Sequence, residues 1–165
     1  MAQADDAARL DGVNGFLNRR IAFRDDEHVW RTKDYWASPL ETLQQGMGDC
    51  EDFAIAKYFS LLATGVPASK LRLVYVRLQV GGPGGPTQPH MVLAYQADAQ
   101  AEPLVLDNLV TEIRPASRRP DLTPVFGFNS QDLWAGSGTQ RVGDPVERLS
   151  PWRDVLRKAR DEGLL

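Results

Sequence analysis

The run Cys50-Glu51-Asp52-Phe53-Ala54-Ile55-Ala56-Lys57-Tyr58-Phe59 constrains this chain more than any other stretch. Phe53, Ile55, Ala56, Phe59 and Leu62 put apolar groups around most of a helix, so that helix is expected to be buried on most sides. Burying a helix on most sides requires other layers around it. With 165 residues, 42% of them hydrophobic, the chain can supply them from one core. Gly46 and Gly48 interrupt what precedes, and Asp49 and Asp52 have the spacing of an N-cap and its capping-box partner. Gly65 and Pro67 stop the helix after about Thr64. The only cysteine, Cys50, therefore falls in a first turn, where backbone N–H groups and the positive end of the helix dipole favour a thiolate. A small buried cysteine that merely follows a cap fits the same stretch.

Either side of this helix the periodicity differs. Leu10, Val13, Leu17 and Ile21 recur at helical spacing, and the predicted helix ends near Arg19-Arg20. Residues Arg24 to Trp36 are charged and aromatic and read as a loop. Ser38-Pro39-Leu40-Glu41 is a capping box with proline at the first helical position, predicting a short helix that Gly46 closes. Beyond Pro67 come strands: Leu71–Leu78 as a central one, then His90–Tyr95 and Leu104–Leu109. A mobile loop is expected at Gly81–Pro86 and a hairpin-like connection at Asp98–Pro103. The Pro- and Gly-rich region from Arg114 to Gly143 offers one short apolar run, Val125–Phe128, that reads as an edge strand. A last helix opens at Ser150-Pro151 with Trp152, Val155, Leu156 and Ala159 on one face and ends at Gly163. The expected architecture is α+β, helices packed on one antiparallel sheet, with residues 1–165 forming a single domain.

Charge and cysteine usage exclude several classes of function. A net charge of -3 and a pI of about 5.4 argue against nucleic-acid binding. No apolar run approaches membrane-spanning length, and the polar start Met1–Asp6 is not a secretion signal, so an exported protein would already have lost its leader. One cysteine permits neither an internal disulfide nor a multi-cysteine zinc site, which leaves a structural thiol or a nucleophile.

Of the two histidines, His28 lies in a charged loop while His90 opens a strand. Asp107 is a lone charge ending an otherwise apolar strand. Side by side at a sheet edge, with the cysteine helix packed against them, Cys50, His90 and Asp107 supply a thiolate nucleophile, an imidazole base and an orienting carboxylate. Separately, His90 reads as a strand-terminal residue bonded to backbone, and Asp107 as an Asx turn with Asn108. Their coincidence with a unique helix-start cysteine favours catalysis.

Cysteine on a helix start, then histidine, then aspartate on successive strands resembles the transglutaminase-like branch of the papain-related enzymes. Within it, Tyr35-Trp36-Ala37-Ser38-Pro39, Gly48-Asp49-Cys50-Glu51-Asp52, His90-Met91-Val92-Leu93, Leu104-Val105-Leu106-Asp107-Asn108 and Arg119-Pro120-Asp121-Leu122 are similar to the bacterial transglutaminase-like cysteine proteinases, from about Trp30 to the final helix. The Gly/Pro loop before His90 is the one departure. The resemblance implies a periplasmic protease that clips a large surface adhesin near its N-terminus and so disperses biofilm. It also implies an inner-membrane cyclic di-GMP receptor that binds and inhibits the protease. Calcium is implied too, bound by Asp49 and Glu51, with Asp52 as a third carboxylate whose cap role competes.

The same carboxylates bear on the nucleophile. At about 6 Å and an effective dielectric of about 20, each costs the thiolate roughly 2–3 kcal/mol, and a hard cation between them would cancel that. Two alternatives stay open: a transglutaminase or amidase acting through the same triad, and a non-catalytic calcium-binding interaction module. Trp30, Trp36 and Trp134 either line a groove or pack as core aromatics. Trp134, in a polar segment, is the candidate for an exposed handle for the receptor, with a tryptophan folded back onto the domain as the equal alternative.

Overall fold

The computed structural model describes residues 2–25 and 35–165. His28 and Trp30 lie outside the described residues, as does most of the loop expected between Arg24 and Trp36. Helix α1 spans Ala2–Arg20, longer at its start than the apolar spacing suggests, and buries Leu10 and Leu17. Strand β1 (Ala22–Phe23) follows and pairs in parallel with β2 (Met47–Gly48). Between them α2 (Pro39–Gln45) carries the complete Ser38/Glu41 capping box, and Gly46 closes it at φ 66, a left-handed conformation that glycine adopts without strain.

The cysteine helix, α3 (Cys50–Ala63), is capped by Asp49 with Asp52 reciprocating. Every residue from Glu51 to Phe59 on it is buried. The strands that cover it are β3 (Leu71–Gln79), β4 (Thr87–Tyr95), β5 (Leu104–Leu106), β6 (Arg114–Pro115), β7 (Leu122–Phe128), β8 (Leu133–Ala135) and β9 (Arg141–Gly143). They form one antiparallel sheet in the order β6-β5-β4-β3-β7-β8-β9, with β3 central. Period-two alternation divides its faces. Leu71, Leu73, Met91, Leu93 and Leu106 pack with α3 in the main core, while Val76, Val92 and Val105 form a smaller cluster with Val74 and Leu122. A short helix α4 (Pro145–Arg148) leads into α5 (Ser150–Asp161), which buries the four residues expected of it, Trp152, Val155, Leu156 and Ala159.

Three expectations are corrected. The third strand stops at Leu106, because Asp107 turns the chain: its carboxylate accepts the Leu109 N–H at 3.1 Å. The run Val125–Phe128 is no edge; it belongs to β7, which is paired with β3 on one side and β8 on the other. Pro124 sits there at a register shift opposite Val76, where a strand tolerates a missing N–H. Trp134 is no exposed handle: it is 8% exposed, with the Arg72 guanidinium 3.8 Å above its ring. Trp36 also packs, stacking on Phe128 at 5.9 Å. Among the described residues, no helix is long and apolar enough to cross a membrane.

Candidate active site

The site begins at the start of α3. Asp49 Oδ1 accepts the Asp52 N–H at 3.3 Å, and Asp52 Oδ2 accepts the Asp49 N–H at 3.2 Å. Asp52 Oδ1 takes the Ala37 N–H at 3.0 Å, so both oxygens of this fully buried carboxylate are held by backbone. Gly48 is needed for this fit, since a Cβ on it would stand 2.7 Å from the Cβ of Asp52. Cys50 Sγ donates to Glu51 Oε2 at 3.3 Å, and the Tyr75 hydroxyl donates to Glu51 Oε1 at 3.3 Å.

Burial pushes the Cys50 thiol far above its ordinary range, and the Glu51 and Asp49 charges push it further. The Met91 N–H opposes them by hydrogen bonding to the sulfur. That bond sets Cys50 against β4 beside His90.

His90 is 3% exposed, and its Nε2 lies 2.8 Å from Asp107 Oδ1. An ionised carboxylate only accepts, so Nε2 carries the proton and Nδ1 is the ring's basic nitrogen. Burial raises the Asp107 carboxyl, but the His90 bond and charge, the Leu109 N–H and Arg119 together hold it below the usual carboxylate value. Asp107 is thus at once the Asx turn and the histidine's partner.

Three further residues fix Asp107. Asn18 Nδ2 and Lys57 Nζ both donate to its backbone carbonyl, at 3.0 and 3.1 Å. Arg119 Nη2 stands 2.9 Å from Oδ2, an ion pair whose N–H is not aligned for a hydrogen bond. The same guanidinium grips Asp121 with two bonds of 3.0 and 2.9 Å. Burial alone would lower the Arg119 guanidinium, yet Asp121 and Asp107 raise it. Sequence reasoning assigned none of the three a role. Lys57 was the most legible, being the one cation in a helix that is mostly apolar beyond its first turn.

Among the described residues no three His, Cys, Asp or Glu side chains converge as a metal site. The donor chemistry still suits a hard cation in part. Asp49 and Glu51 flank Cys50 with oxygen ligands, whereas Asp52 is committed to backbone N–H groups.

A thiol at the start of a buried helix, packed on an antiparallel sheet that carries a histidine–aspartate pair, defines a papain- and transglutaminase-like fold. The chain belongs to the bacterial transglutaminase-like cysteine proteinases, whose family model matches residues 1–121. It is similar in structure to Legionella pneumophila LapG. The EGTA-treated form is 39% identical, with a TM-score of 0.81 over 93% of this chain and 78% of that one. The calcium-bound form is also 39% identical, with a TM-score of 0.76 over 92% of this chain and 79% of that one. No curated protein matches the chain.

Proposed function

We propose that this proteinase is a calcium-dependent endopeptidase acting through Cys50, His90 and Asp107. The observation that carries the reading is the buried His90–Asp107 pair, 2.8 Å apart, next to the strand residue whose N–H bonds the Cys50 sulfur. In this mechanism His90 Nδ1 takes the thiol proton as Cys50 attacks the scissile carbonyl. The imidazolium then protonates the departing amine, and water hydrolyses the thioester. Asp107 keeps the ring in the tautomer that leaves Nδ1 basic.

Calcium, when bound, would be held by Asp49 and Glu51 and would offset their charge on the thiolate. The calcium-bound and EGTA-treated forms of the similar LapG support a role for calcium, and the choice of Asp49 and Glu51 rests on the family resemblance. For the substrate we infer the N-terminal region of a large surface adhesin, and for the regulator the periplasmic domain of an inner-membrane cyclic di-GMP receptor. Both follow from the family resemblance, as does a periplasmic location. Cleavage of an adhesin N-terminal fragment tests the reading. Cys50→Ala and His90→Ala should lose cleavage to the detection limit, since triad members act as a unit. Asp107→Ala should do the same, with Asp107→Asn keeping a trace. A fully active His90→Ala variant would sink the mechanism.

A further inference from the structure

We propose that Arg119 is a fourth member of the site, a positioning residue that sets the charge and orientation of Asp107; this rests on the proposed triad. The Asp107 side chain is fully buried and the Arg119 side chain 2% exposed, so their 2.9 Å contact is shielded from water. Asp107 Oδ1 is already shared by His90 and the Leu109 N–H. Among the described residues no N–H or O–H is well aligned on Oδ2, and the guanidinium is the charge that meets it, at 2.9 Å. Without that charge, half of the carboxylate would face a desolvated interior, and protonation at Oδ2 would relieve it.

The arginine is itself fixed. Two bonds to Asp121, just before β7, lock the plane of the fork, and only then does Nη2 stand against Asp107. A lysine has one point charge and cannot span Asp121 and Asp107 in that plane. Among the described residues, the other charges that bear on Asp107 are His90 from β4 on its carboxylate, Lys57 from α3 on its carbonyl, and the Asp121 carboxylate, which repels it and is held off by the shared guanidinium. α1 contributes the neutral Asn18 at that carbonyl. Among the described residues, Arg119 is therefore the cation that can keep Asp107 ionised without competing for His90.

The test measures adhesin-fragment cleavage against pH for the parent, Arg119→Lys, Arg119→Ala and Asp107→Ala, with folding followed by circular dichroism. Arg119→Lys should lower kcat roughly tenfold or more with KM within about twofold, as expected of a small misplacement of a group that acts on the reacting atoms. Arg119→Ala, where it folds, should move the acid limb of kcat upward by about one pH unit, because Asp107 then protonates more readily. Guanidinium ion at sub-denaturing concentration should restore part of its rate.

Should Arg119→Ala not fold, Arg119→Lys decides. A folded Arg119→Lys enzyme with the parent's kcat and acid limb overturns the proposal. An active Asp107→Ala variant would instead overturn the triad beneath it, so the two failures are distinguishable.

Discussion

At the scale of single residues, Lys57 shows how much unfavourable burial this site carries. It is fully buried on α3, with its ammonium donating to the Asp107 carbonyl and lying 5.7 Å from the Phe53 ring centroid. Burial pulls its pKa from 10.5 down to about 7, against the pull of the Asp107 charge. Between those values the unfolded chain binds a proton that the folded chain has released, so this residue makes stability rise with pH across that window. Below about 7 both states are protonated, and the folded protein bears the full cost of a desolvated ammonium. Lys57→Met keeps the length and apolar stem, and Asn18 still serves the carbonyl. The variant should be more stable than the parent by on the order of a few kcal/mol near pH 6. That advantage should shrink steadily as the pH approaches about 10. Urea midpoints at four pH values check this, and a gap that stays constant with pH would show that Lys57 does not release its proton on folding. The same lysine holds the aspartate's backbone, which gives a physical reason to keep a residue that weakens the fold.

At the scale of elements, the N-terminus of α3 sets opposing effects against each other. The helix dipole and the Met91 N–H favour a thiolate, while burial and the Glu51 and Asp49 charges disfavour it more strongly. A divalent cation on those two carboxylates would shift the balance toward the thiolate, which gives calcium a direct route to activity. EGTA should therefore slow both cleavage and the alkylation of Cys50 by iodoacetamide, and calcium should restore them better than magnesium. Glu51→Ala separates the alternatives by sign. If the carboxylates serve only as caps and local charges, removing one lowers the thiol pKa and alkylation speeds up. If they hold the cation, alkylation slows to the EGTA rate and no longer responds to calcium. Asp52 should not behave like a ligand, because its oxygens serve Ala37 and Asp49. This element was legible in the sequence because caps, glycines and a unique cysteine are local signals. The charge on its far side, Arg119, was not: its neighbour Asp107 is twelve positions away, and the spacing carries no periodic mark.

At the scale of the whole molecule, local signals located the helices and the central strands, and non-local pairing decided the rest. β7 and β8 hold each other in place through Phe128↔Leu133 and Gly127↔Trp134, and Pro124 and Gly127 hide that pairing from any strand pattern. Trp134 looked exposed because its neighbours in sequence are polar, yet its cover comes from Arg72 on β3. The C-terminal segment repeats this on a larger scale. The family match ends at residue 121, but Trp152 of α5 is fully buried against Tyr58, Phe59 and Phe128. Its indole N–H donates to the Asn129 carbonyl at 3.0 Å. On the other side of α5, Lys158 bonds Glu41 and Tyr35 at 2.7 and 2.8 Å, and Ser38 donates to Glu162. These ties reach the segment that delivers the Ala37 N–H to Asp52, and through it the start of the cysteine helix. The last helix is thus expected to be part of the same cooperative unit as the active site. Trp152→Ala removes a fully buried indole and should cost roughly 3–5 kcal/mol, a large share of the ~5–15 kcal/mol that holds a typical domain together. In urea, the loss of helical signal and the exposure of Cys50 to a thiol reagent should move to lower denaturant together, with one midpoint. Two separated midpoints, with Cys50 still protected after α5 has melted, would show instead that residues beyond the family match form an independent cap.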